Sequence, residues 1–466
     1  MPHMHVAGSI HADAMAASPK WLTRPADVNA LDAALWPTGT VRSEAGELTV
    51  AGHSASALAA KWGSPLYLID EAAFRANASA FRKAFAGWDV YYAGKAFLCR
   101  GVARWVAEEG LGLDVCSGGE LAVARGAGFP PERTGFHGNN KSTDELRAAI
   151  SLGIGRVIVD SLDEIERIEA LAEELATTVK VLVRVTTGVE AHTHEYIATA
   201  HEDQKFGFSI LGGHALMALV RCSTSPWLTL AGVHSHIGSQ IFDGSGFEVA
   251  IHRTMRVMAQ FRDATGETLR ELNLGGGFGI AYTAADQPLP LTDLAASFRE
   301  AIDHESRGFG FGQLRVALEP GRAIVGPASF ALYTVGTVKV VELDGGAARV
   351  YVSVDGGMSD NIRPALYAAE YSAVLANRAS DSPPVLCRVV GKHCEGGDIL
   401  VRDVFLPADI QPGDLIAVPG AGAYARSMAS NYNHLTRPPV VALAGERSYP
   451  LLRRETLEDL LALDVG

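Results

Sequence analysis

The sequence has few cysteines, and their pattern argues against both disulfide bonds and a structural zinc site as the source of its stability. The five are odd in number and form no C-x-x-C pair, which disfavours a disulfide framework and a structural zinc site. A reducing, cytoplasmic compartment fits this usage best. The cysteines are Cys99, Cys116, Cys222, Cys387 and Cys394.

The sequence also lacks long apolar runs and an excess of positive charge. No apolar run reaches the roughly 18 residues of a membrane-spanning helix. The formal net charge of −13 argues against nucleic acid and against an anionic membrane as partners. Residues 1–20 contain no basic stretch followed by an apolar one, so we expect a loose tail there and not a signal peptide.

The most regular feature of the 466 residues is a repeated unit, a short β-rich run followed by an amphipathic helical pattern. Eight strands in roughly 250 residues predict an α/β fold, a closed (β/α)8 TIM-like barrel, with a doubly wound sheet as the alternative. Polar and glycine-rich residues just after the strands favour the barrel. The predicted strands are Val90–Ala93, Gly112–Val115, Thr134–His137, Arg156–Val159, Val179–Val185, Leu230–His236, Glu271–Leu274 and Leu314–Glu319.

After Gly321 the pattern changes to valine-rich runs separated by turn signals, which is typical of an all-β sandwich or small barrel. Helices are expected near Glu370–Ala376 and at Glu455–Leu463. We expect four segments: the tail 1–20, an N-terminal segment 21–70 whose strands complete the β domain, the barrel 71–320, and the C-terminal β domain 321–466.

Lys95 ends the first predicted strand, within Val90-Tyr-Tyr-Ala-Gly-Lys-Ala96, and its neighbours are too small to cover it. Burying an unpaired ammonium costs much free energy. Such a lysine therefore either extends to water or serves as a Schiff-base amine. The first reading is the commoner one for an isolated lysine; the motifs below favour the second.

Two motifs follow the last strands of the predicted barrel, where barrels commonly hold phosphate. Four of the five residues 275–279 are glycine, so their amides could approach an anion closely, although a turn with positive φ is the structural alternative. Glu319-Pro-Gly-Arg322 brings opposite charges to one strand end, which a structural ion pair between domains would explain equally well.

Histidine and acidic residues follow other strands. Alternation places His234 and His236 on one face; no third ligand has a useful spacing, so we expect no metal, and a ring lying on an aromatic cofactor is equally economical. Ser239 offers a hydroxyl to an anion. Asp114 ends the second strand, and Glu120 belongs to a predicted capping box with Ser117.

In this order and across nearly the whole chain, the motifs resemble the diaminopimelate decarboxylase family of fold-type III pyridoxal-phosphate enzymes. The lysine, the glycine run and Glu-Pro-Gly-Arg are shared with ornithine and arginine decarboxylases. Three further elements narrow the choice of substrate: His-Gly-Asn-Asn-Lys at 137–141, His-Ile-Gly-Ser-Gln at 236–240 and Cys-Glu at 394–395. One departure is Gly396, where the family often has serine. The motifs are residues 91–96, 137–142, 236–240, 275–279, 319–322, 355–358, 363–367 and 394–395, with Tyr424.

The resemblance implies an enzyme that uses pyridoxal 5′-phosphate to decarboxylate meso-2,6-diaminopimelate to L-lysine and CO2, the last step of lysine biosynthesis. It implies a homodimer in which Cys394 of one subunit reprotonates the substrate in the other. The implied catalytic residues are Lys95, Cys394, Glu319 and His236. The implied cofactor-binding residues are Lys95, Asp114, Glu120, His236, Ser239, Gly276, Gly277, Gly279, Glu319 and Tyr424. The implied substrate-binding residues are Arg322, Arg363, Tyr367, Glu395 and Tyr424.

Several related functions stay open at this point. A decarboxylase for arginine, ornithine or carboxynorspermidine would leave Arg322, Arg363 and Tyr367 without a carboxylate to bind. Alanine racemase would need a tyrosine where Cys394 is expected. A non-catalytic paralogue that regulates an active enzyme should have lost Lys95 or Cys394, and both are present.

Overall fold

The computed structural model describes residues 18–189, 205–343 and 348–466. These form two compact units. The barrel unit contains residues 75–280 and 288–324, and the sheet unit contains residues up to 74, 281–287 and 325–466. Most of the predicted tail lies outside the described residues, and the domain boundaries predicted from the sequence stay a prediction.

The barrel unit is a closed ring of eight parallel strands in chain order. The first and last strands pair with each other, as do the fourth and fifth, so the sheet closes and the doubly wound alternative is wrong. A short strand, Phe208–Ser209, pairs beside the fifth. The eight strands are Asp89–Ala93, Gly112–Val115, Thr134–Phe136, Arg156–Val159, Val179–Thr186, Leu228–His234, Glu271–Asn273 and Arg315–Leu318.

Helices surround the ring and bury one face each. Thr143–Leu152 shows why its bounds could be read from the sequence: Ser142 and Glu145 form a capping box, and Gly153 ends the helix at φ 69°. No helix in the described chain is long and apolar enough to cross a membrane. The helices around the barrel are, in chain order, Glu71–Ala84, Arg100–Glu108, Gly118–Ala127, Thr143–Leu152, Leu162–Glu174, His214–Ser223, Ser245–Thr265, Leu291–Phe309 and Arg322–Val325.

The two ends of the barrel differ in chemistry. At the amino ends of the strands, the carboxylate of Glu271 is paired with Arg156 at 2.9 Å and with Lys180. Burying one of these charges alone would cost much free energy, and the opposite charge of its partner offsets that cost. The polar residues at the carboxyl ends lie where barrel enzymes form their active sites.

The sheet unit combines a three-stranded antiparallel sheet, at Val41–Arg42, Leu48–Val50 and His53–Ser54, with a nine-stranded sheet. In the larger sheet Leu66–Asp70 pairs antiparallel with Ser329–Glu342 and parallel with Val440–Ala444. Its other strands are Ala348–Val354, Val374–Leu375, Pro384–Val390, Ile399–Pro407, Leu415–Pro419 and Arg447–Leu452.

The helices of the sheet unit are short. They are Ala55–Trp62, Arg363–Tyr367, Ala425–Met428 and Leu457–Leu461. The helix predicted at Glu370–Ala376 is wrong: Val374–Leu375 is a strand that pairs with Ile416 and Ala417. Strand pairing over a long sequence distance outweighs the local helical preference of an Ala- and Glu-containing segment.

Candidate active site

A cavity of about 280 Å³ opens at the carboxyl ends of the barrel strands. Its size lies just below the range of small-molecule pockets, about 300–1,000 Å³. It gathers residues from the ends of strands one, two, five and six and from the segments that follow strands one, two, three, six and eight. The lining residues are Ala93, Gly94, Lys95, Asp114, Cys116, His137, Gly138, Asn139, Arg184, Phe206, His234, His236 and Glu319.

Lys95 reaches this cavity from a single 3₁₀ turn, Gly94–Ala96, that follows the first strand directly. The turn packs closely on the second strand, since a Cβ at Gly94 would lie 2.8 Å from the carbonyl oxygen of Asp114. Tyr92 fixes the far side by donating its hydroxyl proton to the carbonyl of Phe97 at 2.8 Å. The lysine is therefore presented on a rigid element.

Among the described residues, Glu319 is one of two buried carboxylates in the cavity, with Asp114, and three side chains approach its Oε1 atom. Asn273 Nδ2 donates a hydrogen bond at 2.7 Å. His234 Nε2 lies 3.2 Å away and His137 Nε2 lies 3.3 Å away. His137 Nε2 also lies 3.3 Å from Asp114 Oδ1. The carboxylate is thus oriented by groups at the ends of strands six and seven and by the residue that follows strand three.

Charges in this cluster shift the titration of its members. Burial raises the pKa of Glu319, but His137 and His234 outweigh it and hold that pKa well below the usual range. Burial lowers the pKa of His137, and Glu319 with Asp114 raises it to about 9. Burial and the neighbouring charge of Glu319 raise the pKa of Asp114 to about 7. At neutral pH Glu319 is ionised beside a protonated His137.

The two remaining histidines are neutral. Burial lowers the pKa of His234 to about 4. Burial, with the positive charges of Lys95 and Arg184, lowers the pKa of His236 well below its usual value. Both rings line the cavity. A neutral imidazole is suited to lie against an aromatic ring.

The sequence suggested no third metal ligand near His234 and His236, and this reasoning was incomplete. The fold brings His137, His234 and Glu319 together, with ligand atoms within 4.8 Å of one another. The third group comes from a distant strand and not from local spacing. Asn273 already donates to the glutamate of this set.

Ser117 and Glu120 form only one of the two hydrogen bonds of the predicted capping box. Ser117 Oγ does accept from the amide of Glu120 at 3.2 Å. The Glu120 carboxylate, however, accepts from the amide of Cys116 at 2.6 Å, so the reciprocal bond is made one residue earlier. Burial raises the pKa of Glu120, and the charge of Lys95 opposes this rise.

The glycine run is required by close packing of backbones. A Cβ at Gly276 would lie 2.2 Å from the carbonyl oxygen of Glu319, and one at Gly277 would lie 2.5 Å from that of Gly238. Gly277 also has φ 116°, which favours glycine. The amide of Gly279 donates to the carbonyl of Ile241 at 3.0 Å, so, unlike the prediction, it is directed at the backbone and not at an anion.

Ser239 and Arg322 come together beside this run. Arg322 Nη2 donates to Ser239 Oγ at 2.9 Å. Arg322 is buried in the barrel unit. The contact places a cation and a hydroxyl next to the glycine amides, which is a suitable set of groups for a phosphate or a carboxylate.

The other predicted residues belong to the sheet unit. Arg363 is buried and donates to the Tyr371 hydroxyl, and its guanidinium lies 4.9 Å from the centre of the Tyr282 ring. Tyr424, at φ 65°, precedes the short helix Ala425–Met428. Tyr367 ends the helix that Arg363 begins.

Cys394 and Glu395 are exposed on a loop that Asp398 holds. One carboxylate oxygen of Asp398 accepts from the amide of Met358 at 2.6 Å, and the other accepts from the amide of His393 at 2.7 Å. The His393 ring lies 2.8 Å from Ser359 Oγ. His393, which directly precedes Cys394, is therefore held by Asp398 at its backbone and by Ser359 at its ring.

Sequence reasoning missed Asn273 and Tyr371, each of which contacts a predicted site residue. Asn273 offered a usable signal, because it is the last residue of a strand and lies two positions before the first glycine of the run. Tyr371 offered none, because its contact with Arg363 depends on the turn between them.

The cavity fits pyridoxal 5′-phosphate. Within the described residues, His234 Nδ1 and Asp114 Oδ2 are buried without a hydrogen-bond partner, so polar atoms remain to be satisfied there. A presented lysine, an ionised carboxylate and a close glycine turn beside Ser239 match the aldehyde, the ring nitrogen and the phosphate. A barrel with this set defines a pyridoxal-dependent enzyme.

Comparison with known proteins supports the assignment to pyridoxal-dependent enzymes. The family described as "Pyridoxal-dependent decarboxylase, pyridoxal binding domain" matches residues 71–326. Diaminopimelate decarboxylase of Mycobacterium tuberculosis is 53% identical, covering 92% of this chain and 98% of the relative. That of Mycobacterium leprae is 49% identical, covering 99% and 100%. The structure of diaminopimelate decarboxylase from M. jannaschii in complex with L-lysine has a TM-score of 0.85 at 31% identity, covering 92% and 99%. The chain belongs to the diaminopimelate decarboxylase family.

Proposed function

We propose that the protein catalyses the pyridoxal-phosphate-dependent decarboxylation of meso-2,6-diaminopimelate to L-lysine and CO2, the last step of lysine biosynthesis. The observation that carries the proposal is Lys95 and the anchored Glu319 carboxylate in one barrel cavity. Relatives that are about half identical over nearly their full length, and are named for this activity, support the substrate.

Bound pyridoxal 5′-phosphate supplies a conjugated ring that accepts the electron pair released when CO2 leaves. In this proposal Lys95 would hold the cofactor through its Nζ amine. The neutral His236 ring lines the same cavity and would pack against the cofactor. Glu319 keeps a proton on the ring nitrogen, which its low pKa beside protonated His137 permits because the carboxylate stays ionised.

The phosphate group would be held by Ser239, by the amide of Gly277 and by the Tyr424 hydroxyl. The amide of Gly276 donates to His236 Nδ1 at 3.3 Å and would have to leave that ring to join them. The contact between Arg322 and Ser239 brings positive charge to this place. Asp114 acts through His137, since the two lie 3.3 Å apart. Glu120 restrains the start of the second barrel helix through the amide of Cys116.

The substrate carries a second amino-acid group, which the proposal assigns to Arg322, Arg363 and Tyr367 for its carboxylate. Glu395 takes its ammonium. Cys394 Sγ, contributed by the neighbouring subunit, would supply the proton to the carbon that lost CO2. We therefore propose a homodimer that works in the cytoplasm; the exposed position of Cys394 in one chain is consistent with a role across an interface.

A panel assay tests this function. Purified enzyme loaded with pyridoxal 5′-phosphate is given meso-2,6-diaminopimelate, arginine, ornithine and lysine, and released CO2 is measured. We expect turnover of diaminopimelate only, with L-lysine as product. Turnover of arginine or ornithine without diaminopimelate would overturn the substrate, and no CO2 from any of them would favour a non-catalytic paralogue.

A further inference from the structure

Asn273 connects two parts of the site. It is the last residue of the seventh barrel strand and is buried. Its Nδ2 atom donates to Glu319 Oε1 at 2.7 Å, and its Oδ1 atom accepts from the amide of Gly275 at 2.9 Å. One side-chain amide thus binds both the buried carboxylate and the first residue of the glycine turn.

The backbone repeats this connection. The amide of Glu319 donates to the carbonyl of Gly275 at 2.8 Å. Gly276 packs against the carbonyl of Glu319 so closely that a Cβ there would lie 2.2 Å away. Glu319 is therefore fixed to the glycine turn at its backbone and, through Asn273, at its carboxylate.

The neutrality of the amide matters as much as its position. A lysine or arginine donor would add a second positive charge to that of His137, 3.3 Å from Glu319, and would weaken the hold of Glu319 on a proton of the ring nitrogen further. An aspartate would repel it. An amide has a donor for the carboxylate and an acceptor for Gly275, and adds no charge.

We propose that Asn273 is a positioning residue. It directs the Glu319 carboxylate at the ring nitrogen of the cofactor and fixes the distance between that carboxylate and the glycine turn proposed to bind the phosphate. The proposal rests on the proposed function. Nothing in the sequence marks Asn273 except its place before the glycine run, and the contact spans 46 positions in the chain.

The test compares Asn273→Asp with the unchanged enzyme, both loaded with pyridoxal 5′-phosphate. A second carboxylate beside Glu319 raises the pH at which Glu319 takes up a proton, so the acid limb of kcat should move to higher pH by about one unit or more. We expect kcat near neutral pH to fall about tenfold to a hundredfold, with KM changed less than about threefold. The pH titration of the bound cofactor's visible absorbance should shift in the same direction.

Two further variants complete the design. Asn273→Ser is too short to reach Glu319 and adds no charge, so it should lower kcat with a smaller shift of the acid limb. Asn77→Ala removes a different amide of the barrel unit, which donates to the carbonyl of Ile324 at 2.9 Å, and should leave both pH profiles unchanged.

The proposal is overturned if Asn273→Asp and Asn273→Ser keep the wild-type pH titration of the absorbance, or if they lose thermal stability with neither pH profile changed. The absorbance titration needs no turnover. A shifted absorbance in an enzyme that does not release CO2 from diaminopimelate would therefore contradict the substrate and not the role of Asn273.

Discussion

His137 Nε2 lies 3.3 Å from Glu319 Oε1 inside the barrel. Both side chains are buried, so each charge is costly alone and is stabilised by the other. The pair accounts for the ionised carboxylate that the proposed chemistry needs, and it predicts how stability and cofactor chemistry depend on pH.

His137→Gln tests the pair through stability. The folded pKa of about 9 lies above the usual 6.5 because Glu319 and Asp114 outweigh the effect of burial. The stabilisation is thus fully present below about pH 6.5 and is lost as the pH rises through about 9. For the cofactor-free enzyme, we expect the variant to be less stable than wild type by roughly 1–3 kcal/mol near pH 6, with little difference near pH 10. A stability difference that does not change with pH would contradict this pairing.

Gly276→Ala tests the packing of the glycine turn. The added Cβ would meet the carbonyl of Glu319, so the two loops must separate. We expect binding of pyridoxal 5′-phosphate, measured by absorbance titration of the cofactor-free enzyme, to weaken by about tenfold or more. Gly312→Ala is the matched control, because a Cβ there meets nothing within 4 Å. Equal affinities for the two variants would show that the turn tolerates a side chain.

The sequence predicted much of this architecture because the relevant signals are local. The helix Thr143–Leu152 is bounded by its own capping box and terminal glycine, and the barrel strands are apolar runs between turns. The sixth strand was placed two residues late, ending at His236, whereas it ends at His234. His236 belongs to the loop, where the amide of Gly276 donates to its Nδ1 at 3.3 Å.

Contacts between distant segments were beyond the sequence. Glu319 meets Asn273, His234 and His137 only after the ring of strands has closed. The strand Val374–Leu375 likewise depends on a partner some forty positions later. The resemblance to a family supplied candidate residues such as Glu319, but not the side chains that orient them.

Cys394→Ala tests the proton donor. Removing a positioned general acid lowers rates by about a hundredfold to ten-thousandfold. We expect kcat to fall by at least about a hundredfold while the visible absorbance of the bound cofactor is retained. Cys387→Ala is the control: this thiol is buried in a strand of the same unit, so its removal should lower Tm and leave kcat unchanged. A normal rate for Cys394→Ala would remove the residue from the mechanism.

Asp398→Ala tests the loop that carries Cys394. The substitution leaves the amides of His393 and Met358 without their charged acceptor, so we expect a loss of roughly 2–4 kcal/mol in the free energy of unfolding. The freed loop should also let iodoacetamide alkylate Cys394 faster, as followed by mass spectrometry. Asp381→Ala, at an exposed carboxylate, should change neither quantity. An unchanged alkylation rate in the Asp398 variant would mean that the loop is held by other contacts.

The most direct measurement of the central claim is peptide mapping of the enzyme after reduction with borohydride in the presence of pyridoxal 5′-phosphate. Reduction fixes the cofactor to the amine that holds it. We predict a single modified peptide that carries the adduct on Lys95, and no adduct in Lys95→Ala. An adduct on another lysine, or none at all in the unchanged enzyme, would contradict the account.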